Sequence, residues 1–263
     1  MTGFSSVLIT GASSGIGRAL AEACAAPDVR LWLGGRDAQR LEATAAACRA
    51  RGATVTVGII DVTDAPAMAA WIAASEKLDL VVANAGISAG TGAGAPESAA
   101  QTRKIFAVNL DGVLNTVLPA MELMATQPAA ADGRRGRIAV IASIAGFVPA
   151  PGAPAYCASK AAVDSWTVGA AQHAAASGIG LTSICPGYVR TAMTARNRFP
   201  MPGMVDADRA AAIILRGVAA GRRRVVFPWW MGALARLAGL LPPRLVGELL
   251  ARAEGKDALP DGG

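Results

Sequence analysis

Short apolar runs recur along the chain and alternate with longer segments whose apolar residues fall at helical spacing. The runs Val7-Leu8-Ile9, Val29 to Gly35, Val55 to Ile60, Leu78 to Val82, Ile138 to Ala142, Leu181 to Cys185 and Arg224 to Phe227 read as seven buried strands. The intervening segments predict helices over Arg18 to Cys24, Asp37 to Arg51, about Asp64 to Lys77, Glu97 to Thr126, Ala155 to Ser177 and Asp206 to Ala219. Gly52 closes the second helix, and Thr63 or Asp64 caps the third. Ile87 to Ala95 is a Gly/Ala/Ser loop, and Gln127 to Arg135 predicts a polar, flexible connection. Strands that alternate with helices and are apolar throughout imply a parallel sheet with right-handed crossovers and helices on both faces, an α/β architecture.

Ligands of such sheets bind beyond the carboxyl ends of the strands, so the residues there are where chemistry is sought. After the first strand comes Thr10-Gly11-Ala12-Ser13-Ser14-Gly15-Ile16-Gly17. A glycine turn opening a helix presents unpaired N–H groups and the positive end of the helix dipole, which suits a pyrophosphate. Gly11 makes the turn, Gly15 allows close approach, and Gly17 lets the helix lie against the sheet. Arg36 follows the second strand, Asp61-Val62 the third, Asn84-Ala85-Gly86 the fourth, Ser143 the fifth and Pro186-Gly187 the sixth. Tyr156 and Lys160, at i and i+4, share one face of a helix. An ammonium one turn from a phenol favours phenolate, so Lys160 is expected to lower the Tyr156 pKa from its ordinary ~10 toward working pH.

In this order, the T-G-x-x-x-G-x-G turn, the N-A-G triplet, Asn109, Ser143, Tyr156/Lys160 and Pro186-Gly187 resemble the short-chain dehydrogenase/reductase family, over about residues 4–227. The resemblance implies one Rossmann-type doubly wound domain, residues 1–228, with a seven-stranded parallel sheet of order 3-2-1-4-5-6-7. A basic amphipathic C-terminal helical extension, residues 229–263, follows and is not a domain of its own. It further implies hydride transfer between a nicotinamide cofactor and a ketone or secondary alcohol. Tyr156 would be the acid/base, Lys160 would tune it and hold the ribose, Ser143 would orient the substrate oxygen, and Asn109 would hold a relay water. The cofactor would lie on Gly11, Ser13, Ser14, Gly15, Ile16, Gly17, Asp61, Val62, Asn84, Ala85 and Gly86. It would also touch Tyr156, Lys160, Pro186, Gly187, Val189 and Thr191. Arg36 falls where the family's NAD-selecting acid aligns, which favours NADP over NAD because a 2′-phosphate needs a cation. Asp37 stands beside it, and a slip of one residue reverses the preference. The family resemblance also implies a homodimer or homotetramer paired through the helices near residues 97–126 and 155–177.

Composition changes this picture in one place. Of the net charge of +6, the stretch from Arg209 to Lys256 carries nine basic residues against Glu248 and Glu254, and the remainder sums to −1. The basicity belongs to the tail, and no recognition motif accompanies it, so nucleic-acid binding is not expected. The tail interleaves Trp229, Trp230, Leu234, Leu237, Leu240, Leu241, Leu245, Leu249 and Leu250 with Arg236, Arg244 and Arg252. Residues 222–252 therefore suit either a peripheral contact with anionic membrane or an extra helix pair over the substrate cleft or a subunit interface. Met193, Phe199, Met201 and Met204, in the Arg190 to Asp208 loop, suit an apolar substrate pocket or a lid packed on itself. The four cysteines, Cys24, Cys48, Cys157 and Cys185, have neither C-x-x-C spacing nor a histidine pair, so neither a metal nor a disulfide is expected. Cys157 adjoins Tyr156, but successive helix positions face about 100° apart, so no shared role is expected, and His173 is expected to serve packing or an interface. No leader is recognised, and a cytoplasmic enzyme is expected. The alternative is a non-catalytic NADP-binding protein that engages membrane or a partner through the tail.

Overall fold

The computed structural model describes residues 3–91, 96–197, 199–251 and 257–258. Loop residues 92–95 and the tail residues Arg252, Glu254 and Lys256 named above lie outside these. Strand β1 (Ser6–Thr10) is buried along its whole length, as a strand covered on both faces must be. It is flanked by β2 (Arg30–Gly35) on one side and β4 (Leu80–Ala83) on the other, both parallel to it. Adding β3 (Thr54–Ile59), β5 (Gly136–Ile141), β6 (Ile179–Pro186) and β9 (Arg224–Phe227) gives a seven-stranded sheet, β3-β2-β1-β4-β5-β6-β9. This is the expected order. A separate ladder of β7 (Val189–Arg190) and β8 (Val205–Asp206) was not foreseen, because two-residue strands carry no readable period.

Successive strand residues feed opposite cores. Val7 and Ile9 join Leu20, Leu33, Leu41, Ile214 and Val225, beneath α1 (Gly15–Cys24), α2 (Ala38–Arg49) and α7 (Ala207–Ala219). Leu8 joins Met68, Ile72, Val117, Val163 and Cys185, beneath α3 (Ala65–Ala73), α5 (Gly112–Thr126) and α6 (Pro154–Ala176).

Three local expectations are corrected. The third helix ends at Ala73 rather than near Lys77, because Ser75 Oγ bonds back to the Ile72 carbonyl at 2.6 Å and Glu76 turns into the left-handed region at φ +59°. Asp64, not Thr63, caps it, accepting from Ala67 N at 3.0 Å. The helix expected over Glu97 to Thr126 is α4 (Ala99–Phe106) and α5 joined by one π turn, Ala107–Asp111, which contains Asn109. A π turn inserts a residue into the helical ladder and occurs frequently at functional sites. The connection after α5 is tied rather than loose at its start. Gln127 is buried; it accepts from Leu78 N at 2.7 Å and donates to Leu78 O at 3.0 Å and Arg135 O at 2.8 Å.

The long helix α6 is fastened to the sheet by a polar cluster. Asp164 accepts from Ser183 Oγ at 2.6 Å and takes two bonds from Arg224, at 2.9 and 2.8 Å. Burial by itself raises the Asp164 carboxyl, but the bonds from Arg224, Ser183 and Cys185 outweigh it and hold the group below its ordinary value. A carboxyl depressed by folding adds stability that is complete above its unfolded pKa of ~3.9 and is lost as pH falls through the folded value. Asp164→Asn should therefore lower unfolding stability in urea at neutral pH by about 3 kcal/mol, the low end for breaking a buried pair because Arg224 is partly exposed. The deficit should shrink toward acid pH, and a variant equal to wild type across that range would deny the cluster this role.

Candidate active site

At the carboxyl ends of β1 and β4 the chain has no space for side chains. A Cβ on Gly11 would stand 2.8 Å from Ala85 Cα, and one on Gly17 would overlap the Gly11 carbonyl and the Asn84 amide. Asn84 Nδ2 donates to the carbonyls of Thr10 and Gly11 at 2.9 and 3.1 Å, and Thr10 Oγ1 accepts from the N–H groups of Asn84 and Ala85 at 3.1 and 3.2 Å. These bonds hold the two strand ends together. Gly11 and Gly15 have φ of +65° and +55°, in the left-handed region that favours glycine.

Beside this junction opens a cleft of about 910 Å³. Of the residues named from the sequence, Gly11, Ser13, Ser14, Gly15, Ile16, Arg36, Asp61, Val62, Asn84, Ala85 and Gly86 line it. Ser143, Tyr156, Lys160, Pro186, Gly187, Val189 and Thr191 also line it. Two do not. Gly17 acts from behind, by admitting α1 against the turn. Asn109 is buried; its Oδ1 accepts from Ile87 N at 2.8 Å, and its Nδ2 donates to Ile87 O at 2.9 Å and Ser159 Oγ at 3.1 Å. Its side chain thus ties the Gly86–Ile87 backbone to α6. A Cβ on Gly86 would meet both Asn109 Oδ1, at 3.2 Å, and Lys160 Nζ, at 3.5 Å.

The cleft suits a dinucleotide at its glycine end. Ser14, the N-cap of α1, makes no side-chain capping bond, so the first helical N–H groups remain for an anion. Farther along, Arg36 meets Asp61 at 3.4 Å across the rim. Asp37 is engaged elsewhere, since it accepts from Arg40 N at 2.9 Å as the N-cap of α2 and from Arg40 Nε at 2.7 Å. Those bonds from Arg40 hold the Asp37 carboxyl below its ordinary value.

At the other end Ser143 and Tyr156 share a hydrogen bond. Ser143 Oγ also accepts from Ala145 N at 3.1 Å, and Lys160 Nζ donates to the Ile141 carbonyl at 2.8 Å. Tyr156 departs from expectation. Burial pushes its phenol up to about 12, and the hydrogen bond with Ser143 offsets only part of that. The Lys160 ammonium, one helical turn away, does not bring the phenol below ordinary tyrosine in this state of the protein.

Several lining residues were not anticipated. Arg40, Tyr188, Val148 and Ala150 line the cleft. Met231 on α8 (Trp229–Gly239) and Leu250 on α9 (Pro243–Ala251) line it too, which agrees with the reading of the tail as a helix pair over the cleft. Met193 and Phe199, read as candidates for the pocket, do so as well. Cys157 lines it as well. His173 is exposed and away from the cleft, so it is not a packing residue of the single chain. The apolar periodicity of the tail was the available signal for Met231 and Leu250; nothing in the sequence says which face turns inward.

A parallel sheet crossed over at β1 and β4, with a glycine turn at that switch point, defines a dinucleotide-binding α/β protein. A family model described as short chain dehydrogenase matches residues 5–201. An uncharacterized oxidoreductase of Myxococcus xanthus is 35% identical over 245 residues, which cover 91% of this chain and 93% of the relative. A putative ketoacyl reductase of the granaticin polyketide synthase of Streptomyces violaceoruber is 37% identical over 199 residues, 73% of this chain and 70% of that one. Among solved structures, a 3-oxoacyl-[acyl-carrier protein] reductase from Brucella melitensis in complex with NAD superposes with a TM-score of 0.76. It is 24% identical, covers 88% of this chain and 98% of its own, and at that identity speaks for the fold. The chain belongs to the short-chain dehydrogenase/reductase family of NAD(P)-binding oxidoreductases.

The Tyr156 environment is directly measurable because the chain has two tyrosines. In cofactor-free protein, the difference in phenolate absorbance between wild type and Tyr156→Phe should stay flat through the ordinary tyrosine range near ~10 and rise only toward about 12. A midpoint at or below the ordinary value would mean that Lys160 already outweighs burial.

Proposed function

We propose that the protein is an NADPH-dependent reductase of an apolar ketone, running the reverse oxidation of a secondary alcohol when concentrations favour it. The observation that carries this reading is the convergence of Ser143, Tyr156 and Lys160 on the cleft that holds the glycine turn. When bound, the nicotinamide cofactor supplies the hydride. The rest is the work of this chain. Ser143 Oγ, fixed by Ala145 N, orients the substrate carbonyl oxygen toward Tyr156. Tyr156 Oη gives its proton to that oxygen as the alcohol forms, and a buried phenol with a raised pKa is fully protonated and ready to do so at neutral pH. Lys160, held by the Ile141 carbonyl, stabilises the phenolate left behind, and Asn109 keeps the Gly86–Ile87 backbone and α6 in register around it.

The NADP preference is supported by Arg36 and Arg40, which both line the adenosine end, and by Asp37, whose carboxylate is already engaged as a helix cap. The apolar substrate is supported by Met193, Phe199, Met231 and Leu250 around the far end of the cleft. The Streptomyces relative is named as a putative ketoacyl reductase, which agrees with a ketone attached to an apolar chain. Four free, buried cysteines accord with a reducing, cytoplasmic setting.

NADPH oxidation against ketones of rising chain length tests the reading. Tyr156→Phe should retain cofactor binding and lose ~10²–10⁴ in turnover; undiminished turnover would remove Tyr156 from the proton path. Arg36→Ala should weaken NADPH binding by about ten- to a hundredfold, a charge-assisted contact, while NADH binding stays within about twofold. Equal losses for the two cofactors would show that Arg36 does not read the 2′-phosphate.

A further inference from the structure

The tail helices present two unlike faces. Inward, Gly232 lies on Val226 and Phe147, Met231 and Leu250 reach the cleft, and Val246 is buried. Arg236 sits over the Phe147 ring at 4.4 Å. Outward, Trp229, Trp230, Leu234, Leu237, Leu240 and Leu241 occupy one side of α8 and its end, with Leu245 following on α9. Trp229 is 76% exposed and Leu240 81%. A run of large apolar side chains at helical spacing, all bare, exceeds what a soluble chain leaves on its surface without a partner. Among the described residues no helix is long and apolar enough to cross a membrane, so these helices do not insert as spans.

We propose that this outer face docks on an anionic lipid surface, lying in the headgroup boundary with its tryptophans at the interface. Charge selects this occupant. The exposed charged residues of the two helices are Arg236, Arg244 and Glu248, a cationic excess of one, and the exposed Arg222 and Arg223 stand just before them in sequence, while Arg224 is engaged by Asp164. A second copy of the chain is a poorer fit, because a two-fold contact sets the same patch against itself and brings like charges together. A bilayer with anionic headgroups meets both needs, apolar depth for the leucines and negative charge for the arginines. The same helices contribute Met231 and Leu250 to the cleft, so an apolar substrate dissolved in the bilayer would enter beside the docked face. That last step rests on the ketone-reductase reading; the docking does not.

Co-sedimentation of the full chain with vesicles tests the docking without turnover. Wild type should bind phosphatidylcholine vesicles containing phosphatidylglycerol, bind phosphatidylcholine alone more weakly, and release in high salt. Leu237→Glu combined with Leu240→Glu should cut partitioning by about tenfold or more. It should leave NADPH binding, turnover of a short water-soluble ketone and solution mass by light scattering as in wild type. Trp229→Gln with Leu240→Gln, at the two most exposed positions, gives the same result with less risk to folding. Wild type that ignores anionic vesicles overturns the proposal. So does a variant that still binds them but falls to a smaller assembly, which would make the face a subunit interface.

Discussion

The ends of β1 and β4 lie so close that no side chain fits between them, and the cleft is built outward from that contact. Gly11, Gly17 and Asn84 meet there, with Thr10 and Asn84 supplying hydrogen bonds in both directions. Because the chain leaves β1 toward α1 and β2 on one side, and leaves β4 toward α4 and β5 on the other, the two loops part at this point and open a crevice. The bare N-terminus of α1 faces into it. Any side chain at Gly17 would push α1 away from the turn and misdirect those N–H groups.

Along the cleft the electrostatic character changes by degrees. Toward the ends of β2 and β3 it is exposed and charged, with Arg36, Asp61, Asp37 and Arg40 in exposed pairs that contribute orientation more than stability. The Tyr156 end is dry. Burial there raises the cost of a phenolate, and it also strengthens any nearby positive charge that offsets it. Lys160 lies within the same buried wall, but burial outweighs any such offset and the phenol stays raised. Rigidity around this pair comes from three directions: the Asn109 amide in the π turn, the Ile141 carbonyl, and the Asp164–Arg224 cluster two turns farther along α6.

The tail couples to this frame through Phe147. That ring follows Ser143 by four positions, takes Arg236 from α8 on its face, and has Arg224 of the Asp164 cluster at 5.9 Å. Cation–π contacts of this kind contribute about 0.5–2 kcal/mol each. The C-terminal segment is tied back to the loop after β4 as well, where the Asp257 carbonyl accepts from Gly90 N at 3.0 Å. The Tyr156 end of the cleft thus shares its wall with Met231 and Leu250, remote in sequence from the glycine turn.

The sequence by itself determined the main strands and helices and, through the residues at the strand ends, most of the named positions that line the cleft, because these depend on local pattern or spacing. The sheet order came from the family resemblance of the same motifs. Apolar runs gave the strands, strand ends gave the positions of Arg36, Asn84, Ser143 and Pro186, and the i, i+4 spacing put Tyr156 with Lys160. Tertiary structure decided what depends on the surroundings of a side chain. Asp37, beside Arg36 in the sequence, caps α2 and holds Arg40. The Tyr156 phenol could be expected to fall in pKa from its neighbour on the helix, but desolvation is a sum over everything packed around it, and it moves the group the other way. Gln127 looked like loop polarity until Leu78, 49 residues away, took up its amide. Which face of the tail turns inward was likewise fixed by Val226 and Phe147, since amphipathic spacing names two faces but not the neighbour that covers one of them.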